Sequence, residues 1–142
     1  MKFGCDTSFL LRILTNHPLP LATDVILAAA ERIDQGDVFF ISDLVLSEAY
    51  YALQASYGVS KPDALRLLRH ISQVRGFEVS LAAKEVLAIL KLEKASPGFV
   101  DRLIHGENSQ SSLKTVACEK SFSKLPMTEV FVEKKSVGRK SK

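Results

Sequence analysis

The stretch Phe3-Gly4-Cys5-Asp6-Thr7-Ser8-Phe9-Leu10-Leu11 sets the frame for the rest of the chain. Residues 2–5 have strand character, and Phe9, Leu10, Ile13 and Leu14 follow at helical spacing. Asp6 therefore stands where a strand hands over to a helix. In an open α/β sheet that carboxyl edge is where loops and helix N-termini converge and where ligands bind. A carboxylate placed there either caps the helix, by accepting from free backbone N–H groups, or belongs to a site. Position alone favours the cap.

Working outward, strands and helices alternate. Val38-Phe39-Phe40-Ile41 is a continuous apolar run of strand length, expected to be buried on both faces. Further strands are expected at 77–79, 113–118 and 130–132. Helices are expected from Thr23 or Asp24 to Gly36, over 44–57 behind a Ser42 or Asp43 cap, and from Ser60 through Ile71. Further helices are expected over 82–94 and from Pro97 to the polar segment that starts at Gly106, with a short one over 120–125. This rhythm implies an α/β fold with a mostly parallel sheet and crossover helices. One domain over 1–133 accounts for the 142 residues. The basic segment 134–142 has almost no apolar residues and is expected to be a disordered tail.

Composition narrows the class. An apolar fraction of 46% with 25% charged residues is that of an ordinary soluble domain. The longest apolar run is too short to span a membrane, and the opening residues lack the pattern of an export signal. Cys5 and Cys118 form no CxxC pair, which argues against a zinc site and for a reducing cytoplasm. A net charge of +3 permits an anionic partner without demanding one.

Three further acids occupy telling places. Glu48 lies within the helix after the second strand, Asp101 in the first turns of the helix after Pro97, and Glu119 directly after the strand 113–118. Glu119 thus repeats the strand-end position of Asp6. Each has an ordinary use: Asp101 favours its helix dipole, Glu48 can be a solvated helix residue, and Glu119 can open a short helix. Gathered together, four carboxylates would raise one another's pKa values. A hard cation such as Mg²⁺ or Mn²⁺ relieves that repulsion through oxygen ligands. It can also activate water and neutralise an attacked phosphate.

Asp6-Thr7-Ser8-Phe9-Leu10-Leu11, then Ile41-Ser42-Asp43-Leu44-Val45-Leu46-Ser47-Glu48-Ala49-Tyr50-Tyr51-Ala52-Leu53, then Phe99-Val100-Asp101-Arg102-Leu103-Ile104 resemble, in order, the PIN-domain nucleases. The likeness is greatest to the VapC-type toxins of bacterial toxin–antitoxin pairs. It implies a three-layer α/β/α sandwich with a short, mainly parallel sheet and helices on both faces. It implies Mg²⁺- or Mn²⁺-dependent hydrolysis of single-stranded RNA by a cytoplasmic homodimer restrained by an antitoxin. By position, Asp6, Glu48 and Asp101 match the metal-binding acids, and Glu119 matches a fourth catalytic acid. Thr7, Ser8, Ser42 and Lys120 stand beside them as residues that contact substrate or orient the acids. The chain departs from the family at Glu119, where Asp is usual, and at Ala117, where Thr is usual. The run His105-Gly106-Glu107-Asn108-Ser109-Gln110 is also more polar than the family's. These departures support the alternative of a non-cutting PIN-like module that binds RNA or protein.

Arg66, Arg69 and His70 share a helix face, and Lys114, Lys120 and Lys124 surround Glu119. Both sets suit RNA phosphates or a merely solvated face. The tyrosines can stack on bases, although packing is their commoner use. Leu46, Tyr50, Leu53 and Tyr57 exceed the needs of one core and are expected to form a partner surface. Cys5 and Cys118 are expected to be core thiols. A haloacid-dehalogenase-type phosphatase would need a second Asp two residues after Asp6, where this chain has Ser8.

Overall fold

A computed structural model describes residues 1–131, so the expected tail 134–142 and Val132 of the last expected strand lie outside the described residues. The chain opens with strand β1 (Lys2–Gly4) and continues through α1 (Thr7–Thr15), α2 (Leu21–Asp34) and β2 (Val38–Ile41). Next come α3 (Asp43–Ala55), α4 (Lys61–Ile71), β3 (Phe77–Val79) and α5 (Leu81–Leu87). A 3-10 turn (Leu92–Lys94), α6 (Phe99–Gln110), β4 (Thr115–Ala117), a second 3-10 turn (Lys120–Lys124) and β5 (Thr128–Val130) follow. The arrangement is a three-layer α/β/α fold around a short parallel sheet.

β2 is the central strand, paired in parallel to β1 on one side and β3 on the other. The register aligns Phe3 with Phe39 and Phe39 with Phe77, so three rings form a row across the sheet, with centroids 6.2 and 5.7 Å apart. Phe9 of α1 closes on that row, 5.2 Å from Phe39. Phe39 and Ile41 are buried, whereas Val38 and Phe40 on the opposite face are only half-buried. On that face the Lys2–Glu78 ion pair spans the strands at 2.7 Å. The expectation of burial on both faces holds for half of β2.

Several boundaries differ from expectation for identifiable reasons. α2 begins at Leu21, and the Thr23 hydroxyl bonds Asn16 Oδ1 at 3.1 Å instead of capping. The expected helix 82–94 ends at Leu87 because the Arg69 guanidinium takes the carbonyls of Leu87 and Ile89, at 2.6 and 3.3 Å. Those carbonyls would otherwise accept from N–H groups four residues on. Arg69 is thereby a structural clamp rather than a free phosphate contact, and Arg66 is paired with Asp63. α6 runs through Gly106 to Gln110, because Gly106 lies where α6 crosses α5. A Cβ at Gly106 would come within 2.8 Å of the Ala82 Cβ.

The surface expected on α3 is absent. Leu46, Tyr50 and Leu53 are buried in the main core, which leaves only Tyr57 of that set exposed. α3 packs against both α1 and α4, so its buried stripe is wider than a single contact requires. Cys118 is exposed and Cys5 half-buried, so neither is a fully buried core thiol.

Gly36 and Gly76 both have strongly positive φ, at +96° and +93°, but only Gly76 is crowded, its Cβ position lying 2.5 Å from Ile33 Cγ1. Gly36→Ala is expected to cost about 1–2 kcal/mol of backbone strain. Gly76→Ala should cost about 1–3 kcal/mol more from overpacking. Urea unfolding of the two variants checks this, and equal losses would contradict the packing assigned to Gly76.

Candidate active site

Three strands running in parallel deliver three strand-to-helix junctions to one edge of the sheet, and each carries a polar cap. Asp6 caps α1, accepting from the Phe9 N–H at 2.8 Å and the Ser8 hydroxyl at 3.1 Å, both on Oδ1. Ser42 caps α3 through the Val45 N–H at 3.2 Å, and Ser80 caps α5 through the Ala83 N–H at 3.0 Å. The capping use of Asp6 is thus real, and it occupies one carboxylate oxygen. Among the described residues no hydrogen bond reaches the other oxygen, Oδ2.

Two bonds tie the junctions together. The Thr7 hydroxyl donates to Glu48 Oε1 at 3.0 Å, joining positions 41 residues apart and bringing Glu48 beside the residue that follows Asp6. The Ser80 hydroxyl donates to Asp43 Oδ1 at 2.7 Å, linking the N-termini of α3 and α5. Asp43 and Ser80 were not singled out as site residues. The signal available for them is the repeated step from a strand into Ser, at Ile41-Ser42 and Val79-Ser80.

Asp101 is half-buried in the first turn of α6. It lines a shallow recess of about 140 Å³ with Tyr50, Tyr51, Gly98, Phe99 and Val100. Tyr51 lies three residues beyond Glu48 on α3. Glu119 is placed differently. β4 pairs only with β5, in a separate two-stranded sheet, so Glu119 does not follow a strand of the sheet that carries Asp6. It is exposed at the entrance to the second 3-10 turn, 3.5 Å from the Ser121 hydroxyl, with Lys120 exposed beside it.

The backbone N–H of Phe9 and then the Ser8 hydroxyl hold the Asp6 carboxyl below its ordinary range, and the Arg12 charge adds a smaller push. Burial raises the neighbouring Cys5 thiol to about 11, with the Asp6 charge adding to it. Cys5 therefore stays protonated near neutrality and is not a nucleophile.

Asp6, Glu48 and Asp101 offer only oxygen donors, the chemistry that suits Mg²⁺ or Mn²⁺. The Thr7 hydroxyl ties Glu48 to the residue after Asp6, and Asp101 shares a recess with Tyr51. Among the described residues no three His, Cys, Asp or Glu side chains come close enough together to hold a metal ion. The donor set fits such a cation in kind, and its closure around one is not part of the described arrangement.

The pattern of the PIN domain matches residues 5–126, a span that includes all four acids. No curated protein matches the chain. Among solved structures, VapBC2 from Rickettsia felis bound to a DNA fragment from their promoter is similar at 19% identity. That match covers 92% of this chain and 98% of the other, with a TM-score of 0.38.

The capping geometry makes a separable prediction. Asn keeps the acceptor but not the charge, so Asp6→Asn should lose only the charge-dependent part of the cap, whereas Asp6→Ala should cost about 0.5–2 kcal/mol at neutral pH. The carboxyl pKa is lowered by folding, so the charge-dependent part of the cap is complete above the ordinary value of 3.8. It is lost as pH falls through the lower folded-state value. The stability gap between parent and Asp6→Ala should therefore narrow in acid, as followed by thermal unfolding across pH. A gap that stays constant or widens in acid would contradict it.

Proposed function

We propose that this chain, which belongs to the PIN domain family, is a metal-dependent endoribonuclease acting on single-stranded RNA. PIN domains are generally nucleases. The observation that carries the reading is the Thr7–Glu48 hydrogen bond, which sets a second carboxylate at the strand end where Asp6 already stands. Asp6, Glu48 and Asp101 are the residues that would hold Mg²⁺ or Mn²⁺. Such an ion supplies charge neutralisation at the attacked phosphate and a more acidic water. The chain's own contribution is positional. Phe9 N–H and the Ser8 hydroxyl fix one oxygen of Asp6 and leave the other open, while Thr7 fixes the rotamer of Glu48. Glu119 is longer than the usual Asp and follows a strand of the separate two-stranded sheet. In this reading it would orient a water on the cation rather than bind the ion directly.

The motif resemblance extends the reading to a cytoplasmic toxin that pairs with an antitoxin and forms a homodimer. An open apolar cleft of about 470 Å³ supports the presence of a protein partner, with Ile13, Leu14, Ile26, Ile33, Leu67 and Val74 among its walls. Among the described residues no helix is long and apolar enough to cross a membrane.

Cleavage of a single-stranded oligoribonucleotide should require added Mg²⁺ or Mn²⁺ and stop in excess EDTA. Asp6→Asn, Glu48→Gln and Asp101→Asn should each abolish it. Glu119→Gln should lose about 10- to 100-fold, the usual cost of a residue acting through a metal-bound water. Undiminished cleavage in EDTA, or full activity of Asp6→Asn, sinks the mechanism. RNA binding without cleavage under saturating Mn²⁺ would establish the non-cutting module instead.

A further inference from the structure

We propose that Tyr51 is the platform on which a base of the single-stranded substrate stacks beside the reacting phosphate. The inference rests on the ribonuclease reading and names how that site holds its substrate. Tyr50 and Tyr51 are adjacent in sequence and opposite in use. Tyr50 is buried, its ring 5.1 Å from that of Phe99. Tyr51 is 57% exposed, although an aromatic ring of that size ordinarily finds cover. Its ring leans on Tyr50 at 5.2 Å with the planes 59° apart, so a core residue braces an exposed one.

The location gives the exposure a purpose. Leu44, Glu48 and Tyr51 stand at helical positions i, i+4 and i+7 and make one stripe along α3. Tyr51 also shares its recess with Asp101. Phe99, which packs on Tyr50, is the first residue of α6, two positions before Asp101. That packing joins the start of α6 to α3 and sets Tyr51 in one recess with Asp101, one helical turn beyond Glu48. A flat aromatic face held rigidly beside such acids suits a nucleobase whose phosphate lies over them. Stacking of this kind tolerates any base, because every base has a π-face.

A second copy of the chain is the competing occupant, since Leu44 on the same stripe is 71% exposed. Charge decides against it. Any surface broad enough to cover Leu44 and Tyr51 also covers Glu48 between them. That would bury a carboxylate whose only hydrogen-bond donor among the described residues is the Thr7 hydroxyl. Burying such a charge without a cationic partner is strongly unfavourable. A base covers the ring alone and leaves Glu48 open to water and a cation.

The test follows cleavage and binding separately. With Mn²⁺ present, Tyr51→Ala and Tyr51→Leu should raise KM about 10- to 100-fold with kcat within about twofold, and Tyr51→Phe should match the parent. The Leu variant keeps apolar volume and guards against a folding defect. In the cleavage-deficient Asp6→Asn background, an oligoribonucleotide carrying 2-aminopurine should be quenched on binding, and adding Tyr51→Leu should remove the quenching. Unchanged KM and quenching in the Leu variant overturn the proposal while the nuclease reading stands. Tyr51-dependent quenching by a chain that never cleaves leaves the stacking intact and overturns the nuclease reading. A fall in kcat alone, or a change of oligomeric state in light scattering of Tyr51→Leu, overturns the stacking role. Absence of any RNA binding by the parent chain overturns both.

Discussion

Parallel pairing of β1 and β3 to the central β2 obliges all three strand-to-helix junctions to fall on the same edge of the sheet. Each junction frees several backbone N–H groups at a helix start, and each is met by a short polar side chain: Asp6, Ser42 or Ser80. The caps therefore converge because the strands do. Thr7–Glu48 and Asp43–Ser80 then bond neighbouring junctions to one another. A carboxyl edge assembled in this way is polar, and hydrogen bonds within the chain hold its caps.

The core beneath that edge is built to hold it still. Phe3, Phe39 and Phe77 form a row across the strands just below the junctions, and Phe9 of α1 packs on its middle ring, Phe39. On the α3 side, the Tyr50 ring packs on Phe99 at the start of α6, two residues before Asp101. Asp6 serves two purposes at once. Its Oδ1 closes the α1 cap, and its Oδ2 remains available, so structural and chemical roles divide between the two oxygens of one carboxylate.

What could be read from the residues alone was what depends on neighbours in sequence. The hand-over from strand to cap to helix at Asp6 is local, as are the Ser42 and Ser60 caps, and all three stand where they were expected. Features set by distant chain were not legible. Arg69 shortens α5 from another helix, and Ala82 explains why Gly106 interrupts nothing. The phase of α3 was misjudged at Leu46, Tyr50 and Leu53, because helices on two sides bury a wider stripe than one side would. At the site, Asp6 and Glu48 could be proposed from position and motif. The bond from Thr7 to Glu48, and the separate β4–β5 sheet whose first strand precedes Glu119, depend on tertiary placement.

The central claim is that Asp6, Glu48 and Asp101 form one cation site built on the Thr7–Glu48 contact. The most direct measurement is anomalous scattering from crystals of the chain equilibrated with Mn²⁺. The account predicts a single strong peak touched by carboxylate oxygens of Asp6, Glu48 and Asp101, at about 2.0–2.2 Å as for other small hard cations. A well-ordered crystal at saturating Mn²⁺ with no peak there, or with a peak bound by other residues, would contradict it.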